Sequence, residues 1–109
     1  KVVTKAGVTG ADVIYTPNSV TTIILGLILG NTTTSQVTAT VSLASTTSSR
    51  AGDNNENNQT VELITNTPIP AGSSLELLSG NKVVMEDNDA LSVSATGSTD
   101  VALSIMEIS

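Results

Sequence analysis

Within the segment Gln36–Ala44, residues 37–43 alternate apolar and hydroxylated side chains without a break, and this pattern constrains the fold more than any other feature. In this run one set of alternate positions holds only valine, alanine and leucine, and the other holds only threonine and serine: Val37, Ala39, Val41 and Leu43 against Thr38, Thr40 and Ser42. A period of two is that of a β-strand with one buried face and one solvated face. The segment therefore predicts a strand at the surface of a layered β structure.

Shorter runs of the same kind recur along the chain, separated by the Gly, Pro, Asn and Asp residues typical of turns. Together with Gln36–Ala44 they predict about eight short antiparallel strands. We expect an all-β fold, a single β-sandwich of jelly-roll type over residues 1–109, with residues 1–10 as an N-terminal arm. The other predicted strands are Asp12–Thr16, Val20–Leu29, Thr60–Thr65, Ser74–Leu78, Lys82–Glu86, Ala90–Ala95 and Val101–Ile108.

The supply of residue types also favours sheet over helix. Only 13% of the residues are charged, which is about half the share usual in a globular domain. The chain holds 17 Thr, 14 Ser and 9 Asn, and its apolar residues are aliphatic except for Tyr15. Long helices with charged outer faces lack the residues that they need, whereas β-branched aliphatic residues suit strands.

One long segment, residues 45–59, contains almost no apolar side chains. Because it cannot bury itself, we expect an exposed polar loop between two strands of the same domain. Its residues from Asp53 onward begin like a calcium-binding EF-hand loop. However, Asn58 stands where that loop requires glycine, and Ile64 stands where it requires a bidentate glutamate.

The chain contains no histidine and no cysteine. A Ser-His-Asp triad, a thiol nucleophile and the usual zinc sites are therefore excluded. The acidic run Glu86–Asp89 leaves a calcium site or a catalytic pair of acids open, but a polar turn is the favoured interpretation. We expect no enzyme, no cofactor and no metal site.

Charge and hydropathy bear on the partners. The net charge of −6 does not suit binding to phosphates, so we expect no nucleic-acid partner. The longest apolar run, Ile23–Leu29, is far shorter than the roughly 20 residues that span a bilayer, so we expect no membrane partner either.

The predicted strand Val20–Leu29 is apolar on both faces, because Ile24 and Ile28 alternate with the leucines. Such a strand is either central in a layered structure or in contact with a partner. We take the apolar residues outside the main inward register, together with residues of the polar loop, as a candidate interface. These residues are Ile24, Ile28, Met106, Arg50, Asp53 and Asn55.

Two stretches carry a resemblance to known proteins. The first, starting at Thr22, is TIILGLILGNT, and the second, starting at Thr67, is TPIPAGSSLELLSGNKVVME, followed by DALSVSAT and VALSIMEI. This succession of strands and turns resembles small virion structural proteins of tailed bacteriophages, especially those of marine cyanobacteria. The resemblance covers roughly residues 20–108 and includes no catalytic motif.

The resemblance implies a β-sandwich that serves as a building block of a phage particle. The leading hypothesis is a capsid decoration, or cement, protein on the exterior of the virion, which stabilises the head shell. Its expected partners are the major capsid protein or other virion proteins and further copies of itself, with a homotrimer favoured. A neck, tail, baseplate or fibre component is the first alternative, and a glycan- or calcium-binding attachment module is the second.

Overall fold

A computed structural model of the chain describes residues 1–46, 59–78 and 82–108. Every regular element in these residues is a β-strand, and no helix among them is long and apolar enough to cross a membrane. The predicted all-β fold is confirmed. The seven strands of the described residues are β1 (Val2–Tyr15), β2 (Thr21–Asn31), β3 (Val37–Ala44), β4 (Thr60–Ile69), β5 (Ser74–Leu77), β6 (Val83–Met85) and β7 (Ala90–Ile108).

Strand β7 organises the sheet. β1 pairs along one edge of β7, whereas the other edge pairs first with β3, over residues 90–95, and then with β2, over residues 99–108. β4 extends the sheet beyond β3, and β5 and β6 extend it beyond β2. We call the part that contains β3 and β4 the first half, and the part that contains β2, β5 and β6 the second half.

The sheet curls around one core. Alternate residues of β7, from Leu91 to Ile105, face inward in the same register through both halves, and all of them except Gly97 are buried. The buried aliphatic side chains of both halves form a single cluster. The curled antiparallel sheet is compatible with a β-sandwich in which both layers belong to one continuous sheet.

Two predicted boundaries are wrong. Residues 1–10 are not an arm, because most of them belong to β1, which pairs with β7 from its first residue, Val2, opposite Ser104. The two predicted C-terminal strands are one strand of 19 residues. In both cases glycine interrupts the alternating sequence pattern from which strands are predicted, because glycine contributes no side chain to it.

Bulges in β1 let it follow the bend of the sheet. Its register against β7 shifts between Lys5 and Val8 and again between Val8 and Gly10. Gly7 and Gly10 have φ values of 68° and 75°, in the left-handed region that glycine adopts most readily. An extra residue in a β-bulge bends the strand and increases its twist.

Gly97 occupies the same bend on β7. A Cβ atom placed there would lie 2.7 Å from Cγ1 of Val37, a buried and stiff β-branched side chain. We expect Gly97→Ala to lower the free energy of unfolding by about 1–3 kcal/mol, because the core would have to shift. Urea denaturation measures this loss.

Gly26 provides the matched control. A Cβ atom there would meet no heavy atom within 4 Å. We expect Gly26→Ala to change stability by less than about 1 kcal/mol. Equal losses in the two variants would contradict the close packing described at Gly97.

Candidate interaction surface

The outward side of the second half is apolar. Among the described residues, most of the large hydrophobic side chains with high exposure lie on this side. We call them the apolar face: Val2, Leu25, Ile28, Val84, Met106 and Ile108. Large exposed apolar patches of this kind mark interaction sites in proteins.

Strand pairing makes the apolar face continuous. Ile23 of β2 lies directly between Val84 of β6 and Met106 of β7. Further along β2, Ile28 is paired with Ala102 of β7. Directly opposite residues have Cβ atoms about 4.5–5.5 Å apart, so the side chains within each of these two rows contact one another, and the exposed Leu25 lies between the rows along β2.

A bulge in β2 decides which of its residues reach this face. The register against β7 shifts between Ile24 and Gly26, so that Leu25 is the extra residue. The shift moves the inward set from Thr22 and Ile24, before the bulge, to Leu27, after it. A shift of one residue exchanges the two faces of a strand, which is why Ile24 points into the core whereas Ile28 points outward.

The six candidate interface residues therefore fall into three groups: buried, exposed on the apolar face, and outside the described residues. Ile24 is fully buried in the core, and its predicted place on the surface is wrong. Ile28 and Met106 are 45% and 49% exposed, and they lie on the apolar face. Arg50, Asp53 and Asn55 fall outside the described residues.

The sequence pattern missed the other members of the apolar face. Ile108 carries a usable signal, since it lies two residues from Met106 on the same strand and therefore on the same side. Val84 joins the face only through its pairing with Ile23, and Val2 only through its pairing with Ser104. The sequence around Val84 or Val2 gives no indication of which residues lie opposite them on the neighbouring strand.

Two shallow grooves flank Ile28. The larger, of about 330 Å³, is lined partly by the small residues Ala6, Gly30 and Ala102. The smaller, of about 170 Å³, lies beside Gly26 and Leu77. The outward side thus presents a projecting aliphatic side chain between two depressions.

Acidic residues lie beside the same surface. Glu76 is paired with Ile28, and Asp100 is paired with Gly30. Lys5 lines the larger groove and forms an ion pair of 3.5 Å with Asp12. The surface near Ile28 therefore combines aliphatic area with carboxylates, in a chain whose net charge is −6.

The acidic run Glu86–Asp89 forms a turn, as the favoured interpretation of the sequence expects. The Asp89 carboxylate accepts hydrogen bonds from the backbone N–H groups of Thr46 at 2.8 Å and Glu86 at 2.9 Å. The Asp87 carboxylate accepts one from the N–H of Ser19 at 2.7 Å. Within the described residues, no group of three or more acidic side chains is arranged to hold a metal ion.

A second polar cluster joins the two halves. The Tyr15 hydroxyl, at the end of β1, donates a hydrogen bond to Oε2 of Glu107 at 2.6 Å and lies 2.8 Å from Oγ1 of Thr22. The ammonium group of Lys1 lies 3.2 Å from Oε1 of Glu107. Tyr15 is paired with Leu91, near the start of β7. These hydrogen bonds therefore connect the first half of the sheet to β2 and to the C-terminal end of β7.

The cluster shifts the pKa values of both partners. Burial, and then the hydrogen bond to Glu107, raise the pKa of the Tyr15 hydroxyl above its ordinary value of about 10. The hydrogen bond from Tyr15, and then the one from Lys1, lower the pKa of the Glu107 carboxyl. Tyr15 thus stabilises the fold fully below its unfolded-state pKa, and the effect is lost as pH rises through the folded-state pKa. Glu107 contributes above its unfolded-state pKa, and this contribution is lost as pH falls through its folded-state pKa.

Tyr15 is the only aromatic residue, so its ionisation can be followed by near-ultraviolet absorbance without overlap. We expect the phenolate to appear at a pH above the ordinary tyrosine value. Glu107→Gln should lower this midpoint, because a neutral acceptor no longer opposes the phenolate charge. An unchanged midpoint in the variant would contradict the contact between the two side chains.

Comparisons of the chain with protein-family models, with curated proteins and with solved structures found no match. The resemblance to phage virion proteins therefore stays a prediction.

Proposed function

We propose that this chain is a structural, non-enzymatic protein of a phage particle, with a capsid decoration protein on the virion exterior as the leading assignment. Its partners would be the major capsid protein or other virion proteins, together with further copies of itself. The observation that carries a binding role is the apolar face of the second half. The sequence resemblance supports the assignment to a virion.

The apolar face favours protein binding for an energetic reason. Burial of apolar surface contributes about 25 cal/mol for each Å² removed from water, before the costs of association. Ile28 and Met106 each keep nearly half of their surface exposed, and they lie on a rigid sheet rather than on a loop. The backbone there is already ordered in the sheet, so binding costs mainly the side-chain entropy of residues such as Met106, and this surface suits assembly.

Other positions in the particle would use the same face. A neck, tail, baseplate or fibre component also assembles through sheet surfaces, and fold alone does not distinguish these roles. Copy number does, because a decoration protein covers the shell in many copies whereas a neck or baseplate component is present in few. The carboxylates of Asp87 and Asp89 already accept hydrogen bonds from the backbone N–H groups of Ser19, Thr46 and Glu86, which disfavours the calcium-binding form of the attachment-module alternative.

The test uses particles of a phage that encodes the chain. Quantitative mass spectrometry of purified virions is expected to find it in many copies, and particles that lack it should bind the added protein. Ile28→Glu should weaken this binding, whereas Val13→Glu, which alters an exposed valine paired with Ser92, should not. Absence of the chain from purified virions would overturn the proposal.

A further inference from the structure

We infer that the apolar face binds a second copy of this chain, face to face about a two-fold axis. The inference rests on the proposed function, because it names a partner of the same surface. Two properties of the apolar face support this occupant, its area and its shape, and the carboxylates beside it determine how the pair responds to salt.

The area suits a pair of chains. The outward side of the second half is four strands wide, with β1 and β7, then β2, and then β5 and β6 end to end. β1 accompanies this part of β7 only from Val2 to Val8, and β5 and β6 hold four and three residues. With strands about 4.8 Å apart and a rise of about 3.3 Å per residue, this side covers roughly 550 Å². A standard protein interface buries about 800 Å² on each partner and a weak, transient one less than about 600 Å², so this side suits a weak and reversible pair.

The shape is self-complementary. Ile28 projects beside the groove that Ala6, Gly30 and Ala102 line. A Cβ atom at Gly30 would find only the Asp100 carbonyl oxygen within 4 Å, at 3.9 Å, so the glycine leaves the groove open. In a two-fold interface the same patch serves both copies, so Ile28 of each chain can enter the groove of the other. Sheets stacked face to face in this way pack about 10 Å apart.

The carboxylates give the pair a distinctive response to salt. Both copies carry a net charge of −6 and Glu76 beside Ile28, so like charges approach one another on association. Added salt screens this repulsion, and the pair should become tighter as ionic strength rises. A basic partner on the same surface would show the opposite dependence.

Sedimentation equilibrium of the full chain, over rising protein concentration and at low and high salt, tests the inference. We expect a reversible dimer whose Kd falls with salt. Ile28→Glu should raise Kd by roughly thirtyfold or more, because each pair buries two copies of the side chain. Val13→Glu, which makes the same change of charge at an exposed valine outside the apolar face, should leave Kd within about threefold of the unaltered chain.

Glu76→Gln provides a variant that should strengthen association. Removing one carboxylate from each copy is expected to lower Kd several-fold at low salt and to have little effect at high salt. Circular dichroism of each variant checks that the sheet is retained. A Kd that Ile28→Glu leaves unchanged would place the contact on another surface.

The outcomes separate this inference from the proposed function. A chain that stays monomeric at high concentration and high salt, yet binds phage particles, would overturn the second-copy inference and leave the proposed function standing. A chain that dimerises as expected but is absent from purified virions would overturn the proposed function and leave the second-copy inference standing. A trimer mass would overturn the two-fold arrangement and would agree with the homotrimer predicted from the sequence.

Discussion

Replacing Ile24 with alanine is expected to lower the free energy of unfolding by about 3 kcal/mol. Ile24 is fully buried and belongs to the aliphatic core that the curled sheet encloses. The substitution removes methylene and methyl groups and leaves a cavity that the neighbouring strands fill only in part, and such changes cost about 2–5 kcal/mol. Urea denaturation followed by circular dichroism measures the loss as a lower midpoint with an unchanged slope.

Ile28→Ala is the matched control, with the same substitution four residues further along the same strand. Because Ile28 is 45% exposed on the apolar face, we expect a loss of less than about 1 kcal/mol in the monomer. Continued alternation along β2 would place both isoleucines on one side and predict similar losses. Equal destabilisation by the two substitutions would therefore contradict the bulge at Leu25.

Replacing Asn31 with alanine is expected to lower the free energy of unfolding by about 2–4 kcal/mol. Asn31 is 3% exposed, and its Nδ2 donates to the carbonyl oxygens of Ser35 at 2.8 Å and Ile69 at 2.9 Å. Its Oδ1 accepts a hydrogen bond from the N–H of Thr33 at 2.8 Å. Alanine would leave the buried Ile69 carbonyl oxygen without that partner, at a cost of about 1–3 kcal/mol, and the loss of the partly buried bonds to Ser35 and Thr33 adds a smaller amount.

Thr32→Ala is the control for this corner of the fold. The Thr32 hydroxyl also forms hydrogen bonds, to the backbone and side chain of Ser98, but Thr32 is exposed and water can replace them. We expect a loss below about 1 kcal/mol. If thermal or urea denaturation finds the two variants equally stable, the Asn31 side chain does not join the end of β2 to the end of β4.

The sequence predicts the fold best where alternation is unbroken. The predicted strand Gln36–Ala44 differs from β3 by a single residue at its start. In β7 the inward register continues from Leu91 to Ile105, but residues 96–100 include no apolar side chain and the Gly97-Ser98 pair has the composition of a turn, so the prediction divided this strand into two. Glycine is common in turns because of its backbone freedom, and the same freedom serves a bend within a strand.

The apolar face is harder to predict from the sequence, because strand pairing determines which residues lie on it. Ile24 and Ile28 look equivalent in the sequence, and only the shift of β2 against β7 separates a core residue from a surface residue. Gly26, next to the bulge, is the one local sign of such a shift. The position of a bulge depends on the partner strand, which lies more than 70 residues away in this chain.

The shared strand β7 also determines the order in which this chain can fold. β7 pairs with β1, β2 and β3, and Val2 lies opposite Ser104, almost the full length of the described chain away. Neither half can complete its sheet until β7 has been synthesised, because both halves take their central strand from it. Contacts of such high sequence separation slow folding, since the entropy of closing the chain is lost before the core forms. Until β7 is available, β2 can pair only with β5 and β6, and β3 only with β4, so each keeps one edge unpaired in a state exposed to aggregation.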